Sequence, residues 1–328
     1  MTLPLPAPTA HDLHVIVPAA HPGAAWLEAS PTACASLATP QLAALLRAAT
    51  WSAVEAVSED SPLSVPDCVH LHAHGLSARE AGHSWPDAAW HSDEGGVQAW
   101  ITPCHWHMAQ GRTLMLDPHN LGLDEDRSRG FMQAMRPYFE EDGLHLHWHD
   151  PLRWRLSGPA LRAWPSMSLP HMVGRDVQAV LQAQPWPAPL GRLHIEMQML
   201  LYTHALNEAQ IQASLPSVNS FWVHGVGEWP ASKAKQRDTL LTINALEAAL
   251  QGGAPSTWLA ACGQLDGELA QRIRSHLAAG QSVQLHLCGE LRWCTARLTP
   301  DSLKPSLWQR LWPLAQAQSR LTRRLQAL

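Results

Sequence analysis

Residues Leu193 to Gly227 read LHIEMQMLLYTHALNEAQIQASLPSVNSFWVHGVG, and the fold class follows from how this stretch divides. Ile195, Met199 and Tyr202, with Met197, Leu200 and Leu201, place apolar residues at three-and-four spacing, which predicts a helix. Leu215-Pro216 is where a helix should have ended, because proline lacks the N–H and restrains the residue before it. Val218-Asn219-Ser220-Phe221-Trp222-Val223 is short, β-branched and aromatic, as a buried strand requires. His224-Gly225-Val226-Gly227 follows, where two glycines permit a tight turn or a close backbone approach to a ligand. Helix, buried strand and glycine turn in that order describe an α/β unit, whose ligands bind at the carboxyl ends of strands.

Working outward, Trp100-Ile-Thr-Pro-Cys-His-Trp-His predicts a strand made irregular or edge-like by Pro103. Thr113 to Asp117 is a second short strand. Asp124-Glu-Asp opens a helix running to about Phe139, with acids at the positive end of its dipole. Leu144 to His149 alternates strictly, and Arg153-Trp-Arg-Leu-Ser continues an antiparallel pattern. Leu13 to Pro18 predicts the first strand, with a loop to Trp26 after a Pro/Ala/Thr-rich start over 1–11. Thr39-Pro40 opens a helix toward Thr50. Residues 58–68 read as a polar connection, Leu76 to Gly82 as a short helix, and Ser84 to Gly96 as a surface loop. A short helix is expected near 174–183. Asp238 to Leu250 and Gly267 to Ala279 are amphipathic helices, the first stopped by Gly252-Gly253. Ser282 to Gly289 and Leu291 to Leu298 pair as a hairpin. The tail from Ser306 reads as a basic helix carrying Arg310, Arg320, Arg323 and Arg324.

The expected architecture is α/β: a mixed sheet flanked by helices, with a smaller α+β subdomain. Residues 1–99 form an N-terminal α/β part, 100–160 the subdomain with His-rich strands, and 161–328 a C-terminal α/β part. With 46% apolar residues the 328-residue chain can fill such cores. Its net charge of -5, with lysine only at Lys233, Lys235 and Lys304, opposes a nucleic-acid surface. Six scattered cysteines without a C-x-x-C pair read as reduced thiols. No apolar run approaches the ~20 residues that span a bilayer, and no signal peptide is evident, so a cytoplasmic setting without membrane is expected.

The segments EMQMLLYTHALN and LPSVNSFWVHGVG resemble archaeal-type cofactor-independent phosphoglycerate mutases, from a helix with an H-x-x-N ending to an N-x-x-x-x-x-G-x-G turn. They are closer to a bacterial phosphoglycerate-mutase-like group, the regulatory proteins of the RpfE type. Thr102-Pro-Cys-His-Trp-His, Leu114-Met-Leu-Asp-Pro, Asp142-Gly-Leu and Pro151-Leu-Arg-Trp are similar to that group too, so the resemblance covers Trp100 to Gly227. Mutase chemistry in that superfamily uses a metal-bound Ser or Thr after the first strand and two metal ions held by Asp and His. Here the first strand runs LHVIVPAAHPG without such a nucleophile. His276, His286, Asp238, Asp266 and Asp301 form no D-x-x-x-H or H-D pair.

Two constellations carry candidate chemistry. His70, His72 and His74 alternate, as do His145, His147 and His149, and His105 with His107. On a strand, each set shares one face. Such imidazoles either hold Zn or another divalent transition metal, with Asp150 beside them, or line a half-buried polar face. The second is an anion site: backbone N–H groups of His224, Gly225 and Gly227, with His204, Asn207 and Asn219 nearby, and Arg153, Arg155 and Arg175 as fork-shaped partners. The alternative is that the Asn and His cap elements and the glycines only turn. Cys104 beside His105 is either a nucleophile or an inert buried thiol.

The expected function is a non-catalytic or regulatory mutase-like protein that binds a small phosphorylated or anionic molecule, with a protein partner also in view. The enzymatic alternative is a metal-dependent phosphohydrolase or mutase whose ligands come from the histidine strands.

Overall fold

A computed structural model of the chain describes residues 12–23, 37–81, 84–235, 237–251, 255–304 and 314–328. The expectations for 1–11, the loop to Trp26, the Gly252-Gly253 stop and Arg310 lie outside the described residues. The strands are β1 (Leu13–Val17), β2 (Thr50–Trp51), β3 (Glu55–Ala56), β4 (Gln98–Cys104), β5 (Trp106–Ala109) and β6 (Arg112–Met115). They continue with β7 (His145–Asp150), β8 (Arg153–Ser157), β9 (Ser220–Gly227), β10 (Leu240–Thr242), β11 (Val283–Cys288) and β12 (Arg292–Leu298). The helices are α1 (Pro40–Leu46), α2 (Val65–Ala73), α3 (Asp87–His91), α4 (Glu125–Glu141), α5 (Leu169–Met172) and α6 (Val177–Ala183). Then come α7 (Ala188–Tyr202), α8 (Ala205–Gln212), α9 (Ala245–Gln251), α10 (Pro255–Ala278) and α11 (Leu314–Leu325). The protein is α/β, with mixed sheets flanked by helices.

The chain divides into two compact units, with cuts that differ from the boundaries expected at 99 and 160. The first gathers Met1–Asp60, Cys68–Gly75 and Gln236–Leu328, and the second Ser61–Asp67 and Leu76–Lys235. The expected C-terminal part is therefore split after Lys235.

In the first unit the strand order is β10-β1-β11-β12-β2, with β3 also paired to β12. β1 runs parallel to β10 and β11, and β11–β12 is the antiparallel hairpin the sequence predicts. Leu13, Val15 and Val17 point with Leu285 and Leu287 into a core closed by Leu42, Trp258, Ile273 and Leu321. The opposite face is polar. His14 Nδ1 and His286 Nε2 share a hydrogen bond of 3.0 Å, and His286 Nδ1 meets Thr295 Oγ1 at 2.8 Å.

His70, His72 and His74 do not form a strand. The Asp67 carboxylate accepts from the Ser64 N–H and hydroxyl, while the Asp67 N–H donates to Ser64 Oγ. That reciprocal cap, with Pro66 in the first turn, nucleates α2 and carries His70 and His72 onto a helix, with His74 just past its end and its N–H donating to the His70 carbonyl (3.2 Å). His72 lies edge-on to His286 and Trp293, at ring-centroid distances of 6.2 and 5.3 Å. Asp238 to Leu250 is also recast: a 3-10 turn (Arg237–Thr239) and β10 precede the short α9. Leu240 and Leu241 serve the parallel sheet edge instead of a helix face.

In the second unit the order is β7-β8-β4-β9, all antiparallel. Ala99, Ile101, Leu146, Trp154, Leu156, Phe221 and Val223 face a core covered by α4 and α7. β8 pairs only with Gln98 to Ile101, so Pro103 stands where that side of β4 is an edge and no ladder N–H is needed. β5 and β6 form a separate hairpin. Residues 84–96 are more than a surface loop: they contain α3, with Ala88, Ala89 and Trp90 buried. Leu76 to Ala81 is a turn, in which Ser77 and Glu80 exchange hydrogen bonds.

α7 is a helix, but its buried side is Leu190, Leu193, Met197 and Leu201. Ile195, Met199 and Tyr202 are 59%, 68% and 86% exposed. Two apolar stripes share this helix, and the spacing alone does not say which one meets the core.

Candidate functional site

The glycine corner is built against the protein's own α3. β9 runs through His224-Gly225-Val226-Gly227 as strand, with no turn within it. Gly225 has φ +60, and a Cβ there would lie 3.1 Å from Asp87 Cβ and from the Trp100 ring. At Gly227 a Cβ would come within 2.8 Å of Pro86. The absent side chains therefore let α3 sit on the sheet, which is the close approach that glycine permits.

That packing fixes a polar constellation on the face of the sheet away from its core. Asp87 Oδ1 accepts from the Trp85 indole N–H (3.0 Å) and Oδ2 from that of Trp100 (2.8 Å). His91, one turn later, has Nδ1 3.2 Å from Asp87 Oδ1. Burial works against the charged form of His91, but the hydrogen bonds and charge of Asp87 outweigh it, and its pKa is raised. His149 leans on Trp100 at 4.8 Å between ring centroids and lies 6.2 Å from His91. Arg153 holds its guanidinium 5.5 Å from the Trp100 ring centre, and its Nε donates to Asp150 Oδ2 at 2.8 Å. Burial, then Arg153, lowers the His149 pKa. Behind them, His224 is buried with Nε2 3.0 Å from Thr102 Oγ1, and burial pulls its pKa down to about 4.

The sheet thus brings together His149, Arg153, His224 and Gly225 from the residues that the sequence singles out, and adds Asp87, His91 and Trp100. The Asp-x-x-x-His spacing of 87 and 91 fits one helix face. It was masked by the Pro, Asp and Gly-Gly of the surrounding stretch, which read as loop.

The other candidates have different work. Asn207 is buried, and its amide N–H groups donate to the carbonyls of Leu201 and Val218 (2.7 Å each) while its oxygen accepts from Val218 N–H (2.8 Å). Asn219 clamps Trp106 through both its amide groups, at 2.8 Å each. His204 caps the start of α8, its Nδ1 accepting from Leu206 N–H. Arg175 sits before α6, its carbonyl accepting from Met115 N–H at 3.4 Å. Arg155 is tied to Glu94, Ser92 and Gln98.

His145, His147 and His149 do share one face of β7, as the alternation predicts. His147 Nε2 is engaged with Ser157 Oγ at 2.9 Å. His105 Nδ1 meets the Ser217 carbonyl at 2.8 Å, with His107 stacked beside it at 6.1 Å. Among the described residues, no three His, Cys, Asp or Glu side chains are placed to hold a metal ion together. Cys104 is fully buried, and burial pushes its thiol pKa well up, the opposite of an activated nucleophile.

No family model and no curated protein matches the sequence. Among solved structures, the PH0037 protein from Pyrococcus horikoshii superposes over 96% of this chain and 98% of its own, with a TM-score of 0.50 at 10% identity. A cofactor-independent phosphoglycerate mutase from Thermoplasma acidophilum aligns over 96% of this chain and 100% of its own, at 11% identity and a TM-score of 0.38. The first likeness is one of fold; the looser second transfers no residue role. No helix among the described residues is long and apolar enough to cross a membrane.

Proposed function

We propose that this chain is a binding protein for a small anionic ligand, a phosphate ester or a free carboxylate of modest size, held on the Trp100 face of the second unit. The observation that carries this is the grouping of Arg153, His149 and His91 around one indole ring. Arg153 supplies a permanent charge with a fork that suits phosphate or carboxylate oxygens. Asp150 steadies that fork through Nε. His91, favoured in its charged form by Asp87, and His149, held toward its neutral form, supply ring N–H donors beside that charge.

Titration of the full chain with inorganic phosphate at low salt, followed by the ring-proton NMR signals of the histidines, tests this. Phosphate should shift the His91 and His149 signals, with binding on the order of tenfold tighter at pH 6 than at pH 8. Arg153→Gln should weaken it at least as much. Unmoved histidine signals, or binding indifferent to Arg153→Gln, would remove the proposal.

A further inference from the structure

A second place in the molecule has the chemistry of a polyanion site, in the first unit. Arg47 caps the end of α1, β2 ends in Trp51, and α11 lies beside α1. Between them opens a cavity of about 520 Å³ whose lining includes Arg47, Arg320, Arg323 and Arg324 together with Trp51. Its volume falls within the roughly 300–1,000 Å³ typical of small-molecule sites. No acidic side chain is among the described residues that line it. In a chain of net charge -5, four guanidinium groups around one hollow are a concentrated exception.

The groups are partly preset. Arg324 is half-buried and lies 5.4 Å from the Trp51 ring centre, an arrangement in which an indole face orients a guanidinium. Arg47 Nε donates to the Ala44 carbonyl (3.1 Å), and Arg323 Nε to that of Ser319 (3.3 Å). Leu46 and Leu321 add an apolar wall. Arg320, Arg323 and Arg324 follow the helical period of α11, so they face one side.

The geometry points to a binding site in this cavity for an organic diphosphate: two linked phosphoryl groups on an apolar or aromatic body. Four guanidinium groups outweigh a monophosphate, at about -1.5 to -2, and come closer to the roughly -3 of an organic diphosphate, whose inner phosphoryl group adds one charge to the terminal one. The leucine wall suits the body to which they are attached. This site is separate from the Trp100 face and does not rest on it.

Nucleoside diphosphates and isoprenoid diphosphates share that chemistry, and calorimetry on the full chain separates them. The probes are ADP, geranyl diphosphate, inorganic pyrophosphate and inorganic phosphate, at low salt. One of the organic diphosphates should bind on the order of tenfold tighter than pyrophosphate, and pyrophosphate more tightly than phosphate. ADP as the tighter binder identifies a nucleotide site, and geranyl diphosphate an isoprenoid site; either outcome supports the assignment. Arg320 and Arg323 are exposed, so Arg320→Gln with Arg323→Gln should leave the circular dichroism and melting temperature intact. That pair should weaken diphosphate binding at least tenfold, whereas Arg153→Gln should not change it. Diphosphates that bind no better than phosphate, or binding that survives the double substitution, would overturn the assignment.

Discussion

Replacing Asn207 with alanine removes three hydrogen bonds from a buried position; the Val218 carbonyl and N–H lose their Asn207 partner, while the Leu201 carbonyl keeps the Thr203 and His204 N–H groups. At roughly 1 kcal/mol or more for each of the two Val218 groups left unsatisfied, the variant should lose about 2 kcal/mol in urea denaturation. Gly225→Ala should cost about 2 kcal/mol, since L-residues pay for positive φ and the new methyl presses on Asp87 and Trp100. His224 gives the second unit a pH dependence. Its folded pKa of about 4 lies below the ordinary 6.5, so the unfolded chain takes up the proton first as the pH falls. Its contribution is intact above pH 6.5, drains away between about 6.5 and 4, and amounts to on the order of 3 kcal/mol. Urea denaturation at pH 7 and pH 4.5 should show a smaller difference in His224→Gln than in the parent protein. An equal difference would mean that other groups carry the acid sensitivity.

Among the elements, α7 gives the sharpest comparison. Met197→Ala should cost about 2–5 kcal/mol, as loss of a fully buried side chain does. Met199→Ala, two residues on, should stay within about 0.5 kcal/mol. α1 begins at Thr39-Pro40 as the sequence predicts, yet Thr39 makes no side-chain cap. The cap is Asp266, on α10, whose carboxylate oxygens accept from Leu42 N–H (2.8 Å) and Gln41 N–H (3.0 Å). Asp266→Ala should lower the melting temperature, with a loss of about 1–2 kcal/mol. The same contrast explains what was legible. α4, β7, β8 and the β11–β12 hairpin carry their periodicity and turn residues locally. A cap 225 residues from Gln41 does not show in local pattern. Nor does an alternation of histidines reveal a helix when Ser64, Pro66 and Asp67 decide the matter from outside it.

For the whole molecule, the second unit is nearly one continuous piece and the first is three. Residues 61–235 expressed alone should fold and melt cooperatively by circular dichroism, because they contain every strand of the β7-β8-β4-β9 sheet and its core. The candidate site was legible in residue type: His149, Arg153 and His224 could be picked out, and the antiparallel sheet places them on one face. Asp87 and His91 were hidden in a five-residue helix. The arginine-lined hollow was hidden by distance, since Arg47 and Trp51 come from near the start of the chain and Arg324 from its last turn. Parallel pairing makes the same point most strongly, with Leu13 opposite Val283 across the β1–β11 ladder. On the ribosome, β1 must therefore wait, unpaired, until β10 has emerged more than 200 residues later, and its second neighbour comes only with β11. Synthesis would deliver residues 61–235 first, and nascent chains stalled before β10 should show that part protected from protease while β1 is still cut.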